Sequence, residues 1–197
     1  MTVIVTILTQ GYADWETALL NAAARSYYGV TTRFATPDGA PVISAGGLKV
    51  VPDLAVADID VSALDALVVS GGQAWSQLDA PDIAAVLVAA RDAGKTVAGI
   101  CDATLALARA GLLDSVDHTS NSAENLAPTG YAGATHYRDQ PGAMVAGRIV
   151  TAPGTAPVSF MAGVLETLGL RDADLDFYTG LYGAEHGARR DHATIAP

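Results

Sequence analysis

The sequence predicts an α/β sandwich with a mostly parallel central sheet. Short apolar runs rich in β-branched residues alternate with Ala- and Leu-rich stretches along the chain, and glycine or turn residues separate them. With 197 residues, half of them hydrophobic, the chain can bury one core without a disulfide or a metal staple. No internal repeat or interdomain linker is evident. We therefore expect one domain over residues 1–170 and an extension over 171–197 that is partly helical and partly flexible.

The first 35 residues read as a βαβ unit. Thr2 to Leu8 is a β-branched apolar run, typical of a strand that is buried on both faces. Asp14 is a suitable helix N-cap, Trp15 to Tyr28 has helical spacing, and Gly29 suits the C-cap. Val30 to Ala35 follows as the second strand, so the crossover should be right-handed.

The middle of the chain adds one buried strand and one helix. Val42–Ser44 and Leu48–Val51 are short runs that pair as a hairpin or form a side excursion. Leu64 to Ser70 predicts the next buried strand. A helix then opens within Asp79-Ala-Pro-Asp82, with proline in its first turn, and ends at Gly94.

The last third repeats the alternation. Thr96 to Ile100 predicts a strand, and Thr104 to Ala110 predicts the helix that follows it. Short apolar runs lie around Met144–Ala146 and Ile149–Thr151, before a helix over Ala156–Leu168. Alternation of this kind places ligand sites outside the carboxyl ends of the strands.

The charge balance argues against several partners. The chain has 21 acidic and 11 basic residues, a net charge of −10, which disfavours nucleic acids and anionic membrane surfaces. No apolar stretch approaches the ~20 residues needed to span a bilayer, and we expect a cytoplasmic protein. The four histidines lack metal-ligand spacing, and no phosphate-binding glycine motif follows the first strand.

The single cysteine, Cys101, lies between a predicted strand and a predicted helix. Gly99 and Ala103 flank it two residues away on either side, where a tight strand-to-helix turn needs small side chains. This pattern is typical of a nucleophile elbow, and the partial positive charge of a helix N-terminus would favour the thiolate. The alternative is an inert buried thiol, since free cysteine is among the most buried residue types.

The other strand ends offer possible partners for this thiol. Gly71 and Gly72 could present backbone N–H groups to a reacting oxygen, or could simply form a turn. Glu16 could point over the carboxyl edge of the sheet, or could be a solvated helix residue. His118 follows the elbow helix by a short loop and could return to Cys101 as a base, or could bond to its own loop.

Several blocks of sequence together resemble the DJ-1/PfpI superfamily, and especially its bacterial glutamine-amidotransferase-like and stress-related branch. The resemblance covers roughly residues 2–170, and its blocks fall in the expected order. They are Gly11-Tyr-Ala-Asp-Trp-Glu16, Val68-Val-Ser-Gly-Gly72, Ala98-Gly-Ile-Cys-Asp-Ala-Thr-Leu-Ala-Leu-Ala108, His118-Thr-Ser-Asn121 and Ile149-Val-Thr-Ala-Pro-Gly-Thr155.

The resemblance implies a flavodoxin-like three-layer sandwich with a reactive cysteine at Cys101 and no cofactor. The family's acidic residue, which hydrogen-bonds to the cysteine, falls on Glu16. Its oxyanion donors fall on the amides of Gly72 and Asp102, and its histidine falls on His118. The resemblance also implies a homodimer that acts on a small-molecule substrate.

One departure concerns the residue after the cysteine. Protease-like members carry histidine there and this chain carries Asp102, which disfavours a peptidase. An anionic Asp102 would raise the pKa of the thiol unless it is turned away, and it could instead act as a second acid or base. Trp75 is a candidate wall of the substrate pocket, although core packing is the simpler interpretation.

Two functional hypotheses follow. In the first, Cys101 attacks an electrophilic carbon while Glu16 orients the thiol and shuttles a proton. The reaction would be a glyoxalase-type hydration, a hydrolysis, or hydration of an isocyanide-like group. In the second, oxidation of Cys101 serves a protective, redox-responsive role without turnover. A flavin-binding module is less favoured, because the loop from Thr9 to Asp14 lacks a Ser/Thr-rich phosphate cradle.

Overall fold

A computed structural model describes residues 1–187 of the chain. The predicted flexible part of the 171–197 extension falls mostly outside these residues. The strands are β1 (Val3–Ile7), β2 (Thr31–Thr36), β3 (Val42–Ile43), β4 (Lys49–Val50), β5 (Leu54–Ala55), β6 (Ala66–Val69), β7 (Thr96–Ile100), β8 (Met144–Ala146) and β9 (Ile149–Ala152). The helices are α1 (Asp14–Tyr28), α2 (Ala84–Asp92), α3 (Ala103–Arg109), α4 (Ala123–Leu126), α5 (Pro157–Thr167) and α6 (Ala173–Gly187).

Seven strands form the central sheet in the order β5-β2-β1-β6-β7-β9-β8. All neighbouring pairs are parallel except β8 and β9, and β3 pairs with β4 as a separate antiparallel hairpin. The register aligns Ile7 with Val69, and Ile100 with Ala152, so these strands end together at one edge. The loops that carry Gly71 and Cys101, and helix α1 with Glu16 in its first turn, therefore start from the same edge, as the predicted fold requires.

The sheet separates two buried clusters of apolar side chains. On one face, Leu87 of α2 and Leu107 of α3 pack with Trp75 and Leu67. On the other face, α1 and α5 bury their apolar sides against the sheet, with Phe160 among the largest buried side chains. Helices on both faces of a mostly parallel sheet confirm the predicted flavodoxin-like three-layer sandwich.

Two helix starts differ from the prediction. Asp14 is the first residue of α1 rather than its N-cap, which is Ala13 without a side-chain cap. The Asp14 carboxylate instead accepts the Ser44 hydroxyl at 2.6 Å and so ties α1 to the β3–β4 hairpin. Helix α2 begins at Ala84, later than predicted, where the Asp82 carboxylate accepts the Ala84 N–H at 3.0 Å.

No helix within residues 1–187 is both long and apolar enough to cross a membrane. In that same part of the chain, no three His, Cys, Asp or Glu side chains are grouped in a way that could hold a metal ion.

Candidate active site

Cys101 lies at the junction of β7 and α3 in a left-handed backbone conformation. Its φ is +59°, and it is the sole non-glycine residue with positive φ among the described residues. The turn holds this conformation through the Cys101 N–H, which donates to the Ala152 carbonyl, and the Cys101 carbonyl, which accepts the Thr104 N–H. Gly99 leaves room for Leu107 of α3, since a Cβ there would lie 2.9 Å from a methyl group of that side chain. The predicted elbow is present, and its strain is typical of functional sites.

Two glycines bring the neighbouring loops into contact with the elbow. A Cβ at Gly71 would lie 2.6 Å from the Cys101 Cβ and 2.8 Å from the Ile100 carbonyl oxygen. A Cβ at Gly154 would lie 2.9 Å from the Cys101 Sγ and 3.0 Å from Glu16 Oε1. Any side chain at either position would push the thiol or the carboxyl away, so both glycines are needed for close approach.

Glu16 lies in the first turn of α1 and is completely buried. Its Oε2 accepts the backbone N–H of Gly71 at 2.8 Å. Within the described part of the chain, no N–H or O–H group donates to Oε1, which faces the Cys101 thiol and Gly154. A buried carboxyl oxygen without such a partner is costly in free energy, so its position is best explained by chemistry at the thiol.

Burial controls the protonation of this pair. It raises the pKa of Glu16 from its usual 4.5 to about 7; the thiol and the Gly71 N–H offset part of this rise, and the Asp102 charge adds to it. Burial, together with the negative charge of Glu16, raises the pKa of Cys101 to about 12. The predicted lowering of the thiol pKa by the helix N-terminus is therefore wrong, because burial and the carboxylate outweigh the dipole. Above about pH 7 the pair is a thiol beside a carboxylate.

Asn121 connects the three loops around the thiol. Its Nδ2 donates to Cys101 Sγ at 3.2 Å and to Asp102 Oδ1 at 3.0 Å. Its Oδ1 accepts the Gly154 N–H at 2.9 Å. The Nδ2 donor lowers the pKa of Cys101 and so stabilises negative charge on sulfur.

The Asp102 carboxylate is directed toward amide donors. Its Oδ1 accepts from Asn121 and, at 3.2 Å, from Asn125. The backbone N–H of Asp102 favours the ionised sulfur, whereas the rise in the pKa of Cys101 comes from burial and Glu16. The repulsion between Asp102 and the thiol that the sequence suggested is thus not a leading cause of the raised pKa of Cys101. The carboxylate acts instead on Glu16, whose pKa it raises.

Comparison with known proteins places this architecture in a family. The sequence profile of the DJ-1/PfpI family matches residues 1–167. The chain belongs to the DJ-1/PfpI family.

Solved structures of this family are similar over nearly the whole chain. The DJ-1 superfamily protein Atu0886 from Agrobacterium tumefaciens is 46% identical, with a TM-score of 0.92 over 94% of this chain and 100% of that one. A thiJ/pfpI family protein from Bacillus anthracis is 28% identical, with a TM-score of 0.85 over 94% and 92% of the two chains.

Two curated relatives come from Bacillus subtilis, and both are named as uncharacterized proteases. YoaZ is 35% identical over 129 residues, which cover 64% of this chain and 61% of YoaZ, less than two thirds of its length. YdeA is 27% identical over 191 residues, which cover 91% of each chain.

In this DJ-1/PfpI chain, His118 does not serve the thiol. The ring is fully buried; its Nδ1 lies 2.8 Å from the Val116 carbonyl oxygen and its Nε2 lies 3.0 Å from the Tyr131 hydroxyl. A carbonyl only accepts, so Nδ1 carries the proton and Nε2 accepts from Tyr131. Burial lowers the pKa of His118 below its usual value, which favours the neutral ring. The prediction of His118 as a catalytic base is corrected, and the side chain from this segment that reaches sulfur is Asn121.

Two other predicted site residues also have structural roles. Trp75 is fully buried in the core, where its indole N–H donates to the Ser70 carbonyl at 2.8 Å, so it is not a pocket wall. The Gly71 N–H is occupied by Glu16, so Gly71 positions the carboxyl rather than a substrate oxygen.

The structure does not test the predicted role of the Gly72 N–H as an oxyanion donor. Its φ of +151° is a conformation that glycine favours, and a Cβ there would lie 3.0 Å from the Cα of Tyr12. The close approach of Gly72 to the Tyr12 backbone is sufficient to explain why this position is glycine. A role for its N–H as an oxyanion donor stays a prediction.

Among residues 1–187, two open cavities are lined by residues from the loops around the elbow. One, of about 670 Å³, is lined by apolar and small residues that include Trp15, Gly154 and Pro157. The other, of about 370 Å³, includes Asn121 and Asp139. Cys101 lines neither cavity, but each includes one of its neighbours: Asn121 Nδ2 donates to Cys101 Sγ, and a Cβ at Gly154 would lie 2.9 Å from that sulfur.

Proposed function

We propose that this protein is a cysteine-dependent enzyme acting on a small electrophilic substrate, with Cys101 as nucleophile and Glu16 as proton acceptor. One observation carries the proposal. A strained elbow presents the thiol directly to a fully buried carboxyl, whose Oε1 receives no N–H or O–H donor from residues 1–187. Burying such a pair costs folding free energy, and its geometry is suited to the transfer of a proton between sulfur and oxygen.

The first step is addition of the thiol to a carbonyl carbon. As the bond between Sγ and the carbon forms, the thiol proton moves to Glu16, and the π electrons of the carbonyl move onto its oxygen. The Asn121 amide stabilises the developing charge on sulfur. The N–H groups of Gly72 and Asp102 would face the new oxyanion, to which Glu16 then returns the proton.

This chemistry suits a hydratase or glyoxalase-like lyase, or a hydrolase of a reactive small molecule. A peptidase is disfavoured, because Asp102 replaces the histidine of protease-like members and His118 bonds elsewhere. Peptide cleavage also requires protonation of a poor leaving group, and neither His118 nor His136 hydrogen-bonds to the thiol.

A substrate panel tests the proposal. Small 2-oxo aldehydes, amides and nitrile- or isocyanide-like compounds are incubated with native protein and with protein whose Cys101 has been fully alkylated by iodoacetamide, verified by intact mass. We expect turnover of at least one class by the native protein alone. Absence of turnover across the panel, or turnover that survives complete alkylation, would overturn the proposal.

The redox alternative requires a thiol that ionises readily. Peroxide reacts with the thiolate, and burial together with Glu16 raises the pKa of Cys101. We therefore expect a mild excess of hydrogen peroxide at pH 7 to leave the intact mass of most chains unchanged over minutes. A rapid gain of two or three oxygens, confined to the peptide with Cys101, would instead favour the redox role.

The family and the thiol support two proposals, one about assembly and one about location. We propose a homodimer, for which sedimentation equilibrium should give twice the 20.1 kDa mass of one chain; a single-chain mass at micromolar concentration would contradict it. We further propose a cytoplasmic location, because reducing conditions keep a catalytic thiol free.

A further inference from the structure

The surroundings of Cys101 carry an excess of negative charge. Glu16 and Asp102 both lie next to the thiol, and Asp139 lines the cavity that also includes Asn121. The Asp102 carboxylate is fixed in place by two amide N–H groups, which it accepts from Asn121 at 3.0 Å and Asn125 at 3.2 Å.

No positive charge from the described residues balances these carboxylates. Neither cavity is lined by a lysine or an arginine among residues 1–187. Arg138, the neighbour of Asp139 in the sequence, directs its guanidinium to Asp117 at 2.8 Å. Arg109 of α3 donates to the carbonyl of the core residue Trp75 at 2.7 Å. An anionic group that approaches the thiol therefore meets carboxylates in the described part of the chain.

The larger cavity offers an apolar surface instead. The Trp15 side chain is 56% exposed, and its indole N–H is 3.4 Å from the carbonyl of Gly154, a residue at which a Cβ would lie 2.9 Å from Cys101 Sγ. Pro141, Ala156 and Pro157 continue this surface. A substrate body placed here would gain from apolar contact without requiring a charged partner.

We propose that Asp102 is a specificity-determining residue: together with Glu16 it makes the site accept uncharged electrophiles with an apolar body and reject those that carry a carboxylate or phosphate. The inference rests on the proposed function and names its substrate class. It also gives a purpose to the residue in which this chain departs from protease-like members. A fixed negative charge beside the nucleophile repels an anion by direct charge interaction, which is stronger near protein than in bulk water.

Two alkylating reagents test this charge selection without any turnover. Iodoacetamide and iodoacetate are similar in size, and each forms a bond from Sγ to carbon as iodide leaves and the thiol proton is lost. Because both react with the same thiolate, the pKa of Cys101 cancels in the ratio of their rates. The reference is the same chain unfolded in urea.

We expect the rate ratio of iodoacetamide to iodoacetate to be about 10- to 100-fold larger in the folded protein than in the unfolded chain. Asp102→Asn should reduce this excess several-fold. Asp92→Asn makes the same charge change at an exposed ion pair with Arg91 and should leave the excess unchanged. An excess near one, or an excess that Asp102→Asn leaves intact in a protein with native circular dichroism, would overturn the inference.

Two further measurements test the charge selection, one by varying salt and one with a charged substrate analogue. If Asp102→Asn fails to fold, the native protein is alkylated at several salt concentrations instead. Salt screens charge, so the rate ratio of iodoacetamide to iodoacetate should fall as salt rises, and a ratio that does not depend on salt would count against the inference. If a 2-oxo aldehyde is turned over, an analogue with an added carboxylate should be turned over at least about 10-fold less efficiently. Selective alkylation without turnover would contradict the proposed function but not the charge selection.

Discussion

Replacement of Cys101 by serine should abolish turnover, with a fall in kcat/KM of roughly 10⁴-fold or more. The two side chains differ by one atom, so the elbow and its hydrogen bonds to Ala152 and Thr104 can be kept. A serine hydroxyl, however, is far less acidic than a thiol. Glu16, with a pKa of about 7, can accept the thiol proton during attack, whereas an alcohol holds its proton more strongly and its oxygen is the weaker nucleophile in a site built around sulfur.

The comparison with Cys101→Ala separates chemistry from folding. Both variants should show native circular dichroism and cooperative urea unfolding, and both should lack turnover on the substrate found with the panel. If the serine variant keeps more than about a tenth of the native kcat/KM, a margin far outside the expected loss of a nucleophile, Cys101 is not the nucleophile.

Much of the architecture was predictable, because it depends on local patterns. The β-branched runs predict β1, β6 and β7 to within two residues at each end, and the carboxyl ends of parallel strands must share one edge. The small residues Gly99 and Ala103 predict the elbow, because a tight strand-to-helix turn favours small side chains two residues on either side of the nucleophile. Glu16 follows once α1 is known to start at the same edge.

Other features could not be predicted, because they depend on contacts between distant loops. Asn121 and Gly154 belong to segments far apart in sequence, and each is recognisable as a site residue only when both surround the same sulfur. The histidine in the same segment was the more conspicuous acid–base residue, yet its hydrogen bonds to the Tyr131 hydroxyl and the Val116 carbonyl decide where His118 points. Between residues 115 and 143 the sequence has little periodicity, so this packing left no local signal.

The pKa of the thiol was mispredicted for a related reason. A helix N-terminus contributes at most about 1 kcal/mol at an exposed site. Removing sulfur from water and placing it beside a buried carboxyl opposes ionisation more strongly. The depth of burial is a tertiary property, and the sequence around Cys101 does not report it.

Glu16→Gln should lower kcat/KM by roughly 10²- to 10⁴-fold, the usual contribution of a general acid–base residue. Glutamine has the same shape, and its carbonyl oxygen can still accept the Gly71 N–H. What it lacks is the ability to receive the thiol proton, so a loss of activity with intact folding isolates the proton transfer. Glu166→Gln, the same substitution at an exposed ion pair with Arg171, should leave kcat/KM within about two-fold, as surface substitutions usually do.

The same Glu16→Gln variant should be more stable than the native protein at high pH. The pKa of Glu16 is about 7 in the folded chain and near 4.5 in the unfolded chain, so between these values the folded chain holds a proton that the unfolded chain has lost. The stability of the native protein must then fall as pH rises from 4.5 to 7, by about 3 kcal/mol in total. Glutamine does not titrate and avoids this loss. Urea unfolding at pH 5 and pH 8 should therefore show the free energy of unfolding of Glu16→Gln rising relative to the native protein across this window, whereas Glu166→Gln shows no such trend. A pH-independent difference would mean that Glu16 is not held at a raised pKa, and the proton-transfer role would lose its physical basis.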